Sequence, residues 1–254
     1  MLKPQEAIGI NYPLSEDRQG ILPLAMKVPL PTWKRALDLT CVILALPVLL
    51  PLGLLIAVYI KLVSPGPAFF RQKRIGTLGK AFMCLKFRTM KVNADPSAHE
   101  EHLKTVMTSN QLTAKLDYSG DKRLIFGGML LRSLGVDELP QLINVLRGEM
   151  SLVGPRPCLP YEFELYLPRH KRRCEAPPGL TGLWQVSGKN RTTFEEQINL
   201  DIQYVERKSF WLDAKIIALT FPAILTLVLE MKPRRTRETA LVPVPAPKRL
   251  QENS

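Results

Sequence analysis

The sequence predicts an α+β fold, a compact monotopic membrane domain in which short strands and interfacial helices follow one long apolar helix. An uncharged run of 22 residues, Leu39 to Ile60, predicts that helix. Short alternating runs separated by glycines predict strands, and later segments repeat apolar residues at helical spacing. We therefore expect four parts: an N-terminal tail (1–31), a membrane helix (32–62), a folded body (63–231) and a C-terminal tail (232–254).

The composition narrows the class of protein. Hydrophobic residues make up 46% of the 254 residues, which excludes a fully disordered chain. Charged residues make up 23%, which excludes a protein with many membrane spans. The formal charge of +12 lies mostly on the body and implies an anionic partner: nucleic acid, anionic lipid or a phosphorylated substrate. The four cysteines lack a CxxC pattern, which favours a reduced, cytosol-facing protein without a disulfide framework or zinc site.

The two ends of the chain are rich in proline. Residues 1–31 hold five of the 22 prolines with three bases and three acids. Residues 232–254 hold four prolines with six bases and two acids. Both ends are predicted to be extended tails, the second of them basic.

The apolar run is long enough to cross a bilayer, since 22 residues at ~1.5 Å each exceed a ~30 Å hydrocarbon core. Length alone therefore favours a single-pass anchor. Pro47 and Pro51 argue against it, because they leave the carbonyls of Ile43 and Pro47 without donors, at ~3 kcal/mol each unless the chain bends. Basic residues also flank the run on both sides, whereas a spanning helix is flanked asymmetrically. We predict a helix that is broken at the prolines and re-enters the same membrane face.

The body begins with short strands. Gly76 and Gly79 separate two alternating runs and predict a hairpin. A helix is expected around His99 to Met107. His99 and His102 are three residues apart, a spacing that could bind a metal ion. Their charged neighbours favour a solvated helix face instead.

Three further helices are predicted. Residues 137–147 carry an apolar stripe, with Asp137 at or near the N-cap, Pro140 in the first turn and Gly148 just after the end. Residues Thr192 to Glu195 offer a capping box for a helix that buries four residues: Phe194, Ile198, Ile202 and Val205. Ile216 to Leu229 contains Pro222 and is too short to span, so it is either an interfacial or a core helix.

The adjacent carboxylates Asp137 and Glu138 are the main candidates for chemistry. Acids at a helix N-terminus stabilise it, which is a sufficient structural reason for them. The functional alternative is that a helix N-terminus attracts phosphate, and an ionised carboxylate there can act as a nucleophile or metal ligand. Arg132 and Arg156 flank the pair in sequence, and the KFRTM segment predicts cations facing a cleft. No RNP, KH, zinc-finger or helix-turn-helix pattern is present, so nucleic acid is not an expected partner.

Six segments of the chain occur in an order that resembles one family: KRALDLT with the proline-containing apolar run, SPGPAFFRQKRIG, KFRTM, LRSLGVDELPQLINVLRGEMSLVGPRP, PPGLTGLWQVSGKN and LDIQYV. Together they are similar to the bacterial sugar transferases, which are monotopic polyprenyl-phosphate phosphoglycosyl transferases. The chain departs from the family at Gly135-Val136, where Ser-Leu is common, and at Asp121-Lys122-Arg123, where an Asp-Pro-Arg element is common.

The resemblance implies transfer of a sugar-1-phosphate from a nucleotide diphosphate sugar, expected to be a UDP-sugar, to undecaprenyl phosphate. Nucleoside monophosphate is released through a covalent aspartyl-phosphosugar intermediate, at the start of exopolysaccharide, capsule or O-antigen assembly. The expected location is the cytoplasmic face of the bacterial inner membrane. The expected partners are nucleotide sugar, polyprenyl phosphate, membrane lipid and a second copy of the chain.

The resemblance also assigns roles to residues. Asp137 corresponds to the nucleophile, and Glu138 together with Asp137 would hold Mg²⁺. Phosphate or substrate contacts fall on Arg132, Arg156, Lys86, Arg88 and Asp201, and the membrane break on Pro47 and Pro51. The alternative hypothesis is a non-catalytic, membrane-attached scaffold or regulator of the same pathway.

Overall fold

The computed structural model describes residues 30–92, 123–188 and 192–230, together with Thr105, Met107 and Ser109. Thr105 and Met107 are helical, but the rest of the helix predicted around His99 to Met107 lies outside the described residues. The tail predicted for 232–254 also lies outside the described residues. Of the tail predicted for 1–31, the structure describes only residues 30 and 31.

The described chain alternates helices with four short strands. In order, the elements are α1 (Thr32–Val63), β1 (Phe69–Ile75), β2 (Ala81–Phe87), α2 (Gly128–Ser133), α3 (Gln141–Arg147), β3 (Ser151–Val153), α4 (Pro160–Leu165), α5 (Pro168–Lys171), β4 (Gly179–Thr181), α6 (Leu183–Val186), α7 (Phe194–Arg207) and α8 (Phe210–Glu230). Three 3₁₀ turns lie between them, at Thr77–Gly79, Val136–Glu138 and Arg172–Glu175.

The strands form two small sheets. β1 and β2 are the predicted hairpin, antiparallel from the Phe69–Phe87 pair to the Ile75–Ala81 pair. β3 and β4 pair in parallel. Helices mixed with short strands confirm the predicted α+β class.

The sheet of β3 and β4 depends on two glycines. A Cβ atom on Gly154 would overlap the carbonyl oxygen of Pro177, and one on Gly179 would overlap the backbone of Gly154. The backbones therefore approach as closely as only glycine permits. This close approach places the loop that begins at Gly154 directly beside β4.

Helix α1 differs in one respect from the prediction. It continues from Thr32 to Val63 with Pro47 and Pro51 inside it, so the predicted break does not appear as an interruption of the helix. A proline removes one intrahelical bond and does not by itself end a helix whose other bonds persist. Among the described residues, α1 alone is long and apolar enough to cross a membrane.

One stripe of α1 packs on the body along most of the helix. Val42 contacts the cluster of Cys84, Val145 and Met150, and Leu46 packs against its edge. Fourteen residues after Val42, Ile56 begins a second contact, in which it and Ile60 pack with Phe87 and Ile125. The opposite face leaves large apolar side chains exposed: Ile43, Leu44, Val48, Leu50, Leu54, Leu55, Val58 and Leu62. Such a continuous apolar surface is typical of contact with lipid or a partner.

The start of α1 is attached to the body by charged side chains. The Lys34 ammonium, fully buried, donates to the carbonyl of Val153 at 2.8 Å, to the Tyr204 hydroxyl at 2.8 Å and to Asp213 Oδ2 at 2.5 Å. Arg35 donates to the last carbonyls of α3, at Val145 and Leu146. Each bond joins α1 to an element more than 100 residues away in sequence.

Two predicted helices start later than expected. The segment 137–147 is a 3₁₀ turn, Val136–Glu138, followed by an α-helix that begins only at Gln141 after Pro140. Asp137 is thus inside a turn and is not the N-cap of α3. Pro140 is the reason, because it has no N–H to donate to the preceding turn, and α3 begins at the residue after it. Gly148 follows the last turn with φ +76°, as predicted.

The capping box of α7 also lies one residue beyond the predicted one. Thr193 Oγ1 accepts from the Glu196 N–H, and Glu196 accepts from the Thr193 N–H. The four predicted stripe residues are buried, as expected. In α8, Asp213 and Ile216 are buried while Trp211 and Phe221 are exposed, so this helix docks on the core and also presents an apolar face.

Candidate active site

The hairpin presents one polar face to the interior. Strand alternation sets Arg74, Cys84 and Lys86 on the same side, because Arg74 pairs with Phe82 and Cys84 with Gln72. Arg71 and Lys73 are on the other side and are exposed. The Arg74 guanidinium is buried and donates to the carbonyl of Pro157 at 3.0 Å, which links the hairpin to the loop after β3.

The Asp137–Glu138 turn is held against this face by Asn144 on α3. Its amide donates to the carbonyl of Met83 at 2.8 Å and accepts from the Leu85 N–H at 3.0 Å, so α3 is bonded to β2 on both sides of Cys84. Glu138 then meets Lys86, with 2.7 Å between Oε1 and Nζ. The two residues are 52 apart in sequence, and only the packing of α3 on the hairpin brings them together.

The loop that carries Arg156 is fixed from behind by a buried ion pair. Arg173 pairs with Asp201 on α7 and also donates to the Arg156 carbonyl at 3.0 Å and to the Tyr166 hydroxyl at 2.7 Å. The Arg156 guanidinium lies 5.9 Å from the centre of the Trp184 ring, a cation–π distance. Asp201 therefore supports Arg156 through Arg173.

These elements enclose a cavity of about 480 Å³. Its polar part is lined by four cations and one carboxylate: Arg74, Lys86, Arg132, Arg156 and Glu138. Its apolar part includes side chains from the two long helices: Leu49 and Leu52 of α1, and Ile217, Phe221 and Ala223 of α8. A ligand that fits this lining carries negative charge at one end and hydrocarbon at the other.

The electrostatics of the cavity favour an anion. Burial, and after it the neighbouring charge of Arg156, lower the pKa of Arg74 from its ordinary value. Cations this close repel one another, and a bound phosphate relieves that repulsion. At the back of the loop, burial raises the pKa of Asp201 to about 6 against the opposing charge of Arg173.

The structure brings four of the nine predicted site residues together. Lys86, Arg132, Arg156 and Glu138 line the cavity. Asp137 does not line it; its side chain is buried, with 8% of the residue exposed, between Val136 and Glu138, which both do.

Four predicted residues lie elsewhere. Arg88 donates to the carbonyls of Ser64 and Pro65 and so ties the end of α1 to the end of β2. Asp201 stands behind the Arg156 loop, and Pro47 and Pro51 are exposed on α1. The structure therefore gives Arg88 and Asp201 supporting contacts and no direct access to the cavity.

Arg74, Gln141 and Gln185 line the cavity but were not among the predicted site residues. For Arg74 a signal was present, since the period of two in β1 separates it from Arg71 and Lys73. The period of two does not indicate which face of the strand is internal. For the two glutamines no local pattern distinguishes a cavity residue from a surface one.

The carboxylates fit Mg²⁺ only together with a substrate. Within residues 30–92, 123–188 and 192–230, no three His, Cys, Asp or Glu side chains form a metal site. Of the two carboxylates predicted to hold Mg²⁺, Glu138 lines the cavity and is paired with Lys86, whereas Asp137 does not line it. Mg²⁺ is commonly held by one or two carboxylates with substrate phosphates and water, so a magnesium ion here would need a substrate diphosphate as well.

Comparison with known proteins identifies the family. The model of the family described as "Bacterial sugar transferase" matches residues 30–227. The exopolysaccharide production protein ExoY of Sinorhizobium fredii is 41% identical over 201 residues, which cover 75% of this chain and 84% of that protein. The UDP-glucose:undecaprenyl-phosphate glucose-1-phosphate transferase of Caulobacter vibrioides is 42% identical over 202 residues, covering 76% of this chain and 70% of that protein.

The undecaprenyl-phosphate galactose phosphotransferase of Salmonella typhimurium is 36% identical over 193 residues, covering 76% of this chain and 40% of that longer protein. Relatives named as sugar phosphotransferases confirm the prediction of an enzyme of that class. On the family match and on these identities, the chain belongs to the bacterial sugar transferase family.

Proposed function

We propose that the protein transfers a sugar-1-phosphate from a UDP-sugar to undecaprenyl phosphate and releases UMP. The observation that carries the proposal is the two-part lining of the cavity, in which four cations lie with the Glu138 carboxylate while α1 and α8 supply hydrocarbon. Undecaprenyl phosphate has this division of charge and hydrocarbon, and a UDP-sugar brings the second set of phosphates. The names of the relatives from Caulobacter and Salmonella support the same acceptor.

The reaction proceeds in two displacements on one phosphorus. An Asp137 oxygen attacks the sugar-bearing phosphorus, the bond to the bridging oxygen breaks, and UMP leaves with that oxygen. A phosphate oxygen of undecaprenyl phosphate then attacks the same phosphorus and releases the Asp137 carboxylate. The product is undecaprenyl diphosphate sugar, the first lipid-linked unit of an exopolysaccharide, capsule or O-antigen.

The cations serve both displacements in turn. Arg74, Lys86, Arg132 and Arg156 offset the charge of whichever anion occupies the cavity. Lys86 also holds Glu138 beside the turn that carries Asp137. Mg²⁺ bound by Glu138 and Asp137 with the diphosphate would neutralise phosphate charge and orient the donor. A scaffold without turnover would need neither the carboxylate pair nor this cluster of arginines.

We infer that α1 lies in one leaflet with both of its ends on the cytoplasmic side. Its contacts with the body at Val42 and Ile56 are 14 residues apart, about 21 Å at ~1.5 Å per residue. A ~30 Å hydrocarbon core does not fit between two contacts with the same soluble body. The exposed apolar face of α1 then contacts lipid.

Aromatic residues support the same placement. Trp33 at the start of α1 packs edge-on against Phe210 at the start of α8, with 6.4 Å between ring centres, and Trp211 beside it is 80% exposed. Tryptophan rings of this kind favour the headgroup level. The charged UDP-sugar does not cross a bilayer unaided, which favours the cytoplasmic face of the bacterial inner membrane. The predicted homodimer stays a prediction.

Topology can be tested with single cysteines at the two exposed ends of α1. We expect Thr32→Cys and Lys61→Cys both to react with a membrane-impermeant maleimide in inside-out vesicles and neither to react in intact spheroplasts. The unsubstituted chain, which has one half-buried and three buried thiols, gives the background. Labelling of the two ends from opposite sides would show a spanning helix.

The activity itself is tested by UMP release from UDP-glucose and UDP-galactose. Without lipid, we expect UMP equal in amount to the enzyme, because only the first displacement occurs. With undecaprenyl phosphate, release becomes catalytic, and EDTA suppresses it. No UMP from either donor, with or without lipid, would contradict the proposal for these donors and favour the scaffold hypothesis.

A further inference from the structure

Gln185 on α6 (Leu183–Val186) has an unusual place in the cavity. Gln185 is one of the residues that line the cavity. Its Oε1 atom is buried, and no donor from the described parts of the chain reaches it. A buried acceptor without a donor costs about 1–3 kcal/mol, so an acceptor left in a binding cavity points to a donor on the ligand.

The surroundings of Gln185 hold this amide in place. A Cβ atom on Gly182 would lie 2.7 Å from Gln185 Oε1, so the glycine makes room for the amide. Trp184, the residue before Gln185, is buried, and its indole N–H donates to Thr192 Oγ1 at 2.6 Å. Gln185 therefore lies on a short, packed helix, next to the tryptophan whose ring is near the Arg156 guanidinium.

The two substrates of the proposed reaction differ in what they offer to an acceptor. The phosphate of undecaprenyl phosphate, among four cations, is ionised and presents acceptor oxygens alone. A UDP-sugar carries donors: hydroxyl groups on the sugar and ribose, and one N–H on the base. An unpaired carbonyl oxygen can therefore gain a hydrogen bond from the UDP-sugar and none from the lipid phosphate.

We propose that Gln185 binds the nucleotide sugar by accepting a hydrogen bond from one of its hydroxyl or N–H groups, and so contributes to donor selection. This inference rests on the proposed function. In a two-displacement reaction, kcat/KM for each substrate reports only its own half of the reaction. An effect confined to the donor half is thus measurable.

The test compares Gln185→Leu with Gln203→Leu. Gln203 on α7 is a matched control, because its Oε1 is likewise buried without a donor among the described residues but is outside the cavity lining. We expect Gln185→Leu to lower kcat/KM for UDP-glucose about 3- to 10-fold, the loss of one neutral hydrogen bond. The value for undecaprenyl phosphate should stay within about twofold, and Gln203→Leu should change neither.

A second pair of measurements keeps the test independent of how well the leucine variant folds. Gln185→Asn keeps the amide but withdraws it by one methylene, and it should show the same donor-selective loss. Deoxy analogues of UDP-glucose identify the group concerned: the analogue that lacks it loses activity with the wild-type protein and loses nothing more with Gln185→Leu.

The outcomes separate the two proposals. Equal loss for both substrates, or the same loss in Gln203→Leu, would show that the amide supports the fold and does not bind the donor. If the wild-type protein turns over and Gln185→Leu has the same kcat/KM for the donor, this inference is overturned and the proposed function is not. A wild-type protein that turns over neither donor would overturn the proposed function, and this inference with it.

Discussion

Asp137→Asn should lower the catalytic release of UMP by at least about 10³-fold, the scale on which removal of a nucleophile acts. The amide has nearly the volume of the carboxylate but cannot form an acyl phosphate with the sugar-bearing phosphorus. The 3₁₀ turn around it is closed by backbone bonds from Glu138 to Gly135 and from Leu139 to Val136, which the substitution leaves unchanged. The fold should therefore survive the loss of activity.

The covalent step distinguishes a nucleophile from a residue that only supports the turn. Incubated with radiolabelled UDP-glucose and no lipid, the wild-type protein should retain sugar-phosphate label after denaturation, and Asp137→Asn should retain none. Glu206→Gln is the matched control, since Glu206 pairs with Arg172 and is outside the cavity lining. A folded Asp137→Asn protein with near-normal release of UMP would exclude Asp137 as the nucleophile.

The second large effect concerns stability. Lys34→Met should destabilise the protein by about 3–5 kcal/mol, because it leaves Asp213 and the Tyr204 hydroxyl buried without their cation. Burial raises the pKa of Asp213 even with Lys34 present, and loss of the lysine raises it further. A group whose pKa is raised by folding favours the folded state at low pH, so the variant should lose stability as the pH rises.

Thermal unfolding in detergent at pH 5 and pH 8 measures both parts of this prediction. The double variant Lys34→Met/Asp213→Leu is the control, because it removes the uncompensated charge along with its partner and should recover much of the loss. A single variant as stable as the wild type, or a double variant less stable than the single one, would show that the buried ion pair does not hold α1 to the body.

Local patterns in the sequence were sufficient where a structure depends on neighbours along the chain. The alternation around Gly76 and Gly79 predicted the hairpin, and the spacing of Phe194, Ile198, Ile202 and Val205 predicted the buried face of α7. Starts were less accurate. Pro140 delays α3 to Gln141, and the capping box of α7 uses Thr193 with Glu196, because either of two adjacent threonines fits the same pattern.

The candidate site was predicted only in part, because local patterns identify candidate residues but not where their side chains lie in the fold. Asp137, Glu138, Arg132 and Arg156 lie in recognisable segments, and the structure gathers three of them around the cavity with Asp137 beside it. Arg88 lies in an equally suggestive segment but ends at the carbonyls of Ser64 and Pro65. Lys86 lies on β2, which ends at Phe87, so Arg88 follows the strand and does not share its alternation. The sequence does not state where the strand ends.

The sequence by itself determined the family, the α+β class, the long apolar helix and the carboxylate pair, because each depends on residue order or local periodicity. Only the tertiary structure decided which cations converge, that Asp201 acts through Arg173, and that α1 contacts the body from Lys34 to Ile60. These arrangements join residues up to 179 positions apart, as in the Lys34–Asp213 pair. A periodic pattern identifies the buried face of a helix or strand, but the partner of that face is settled only when the elements pack.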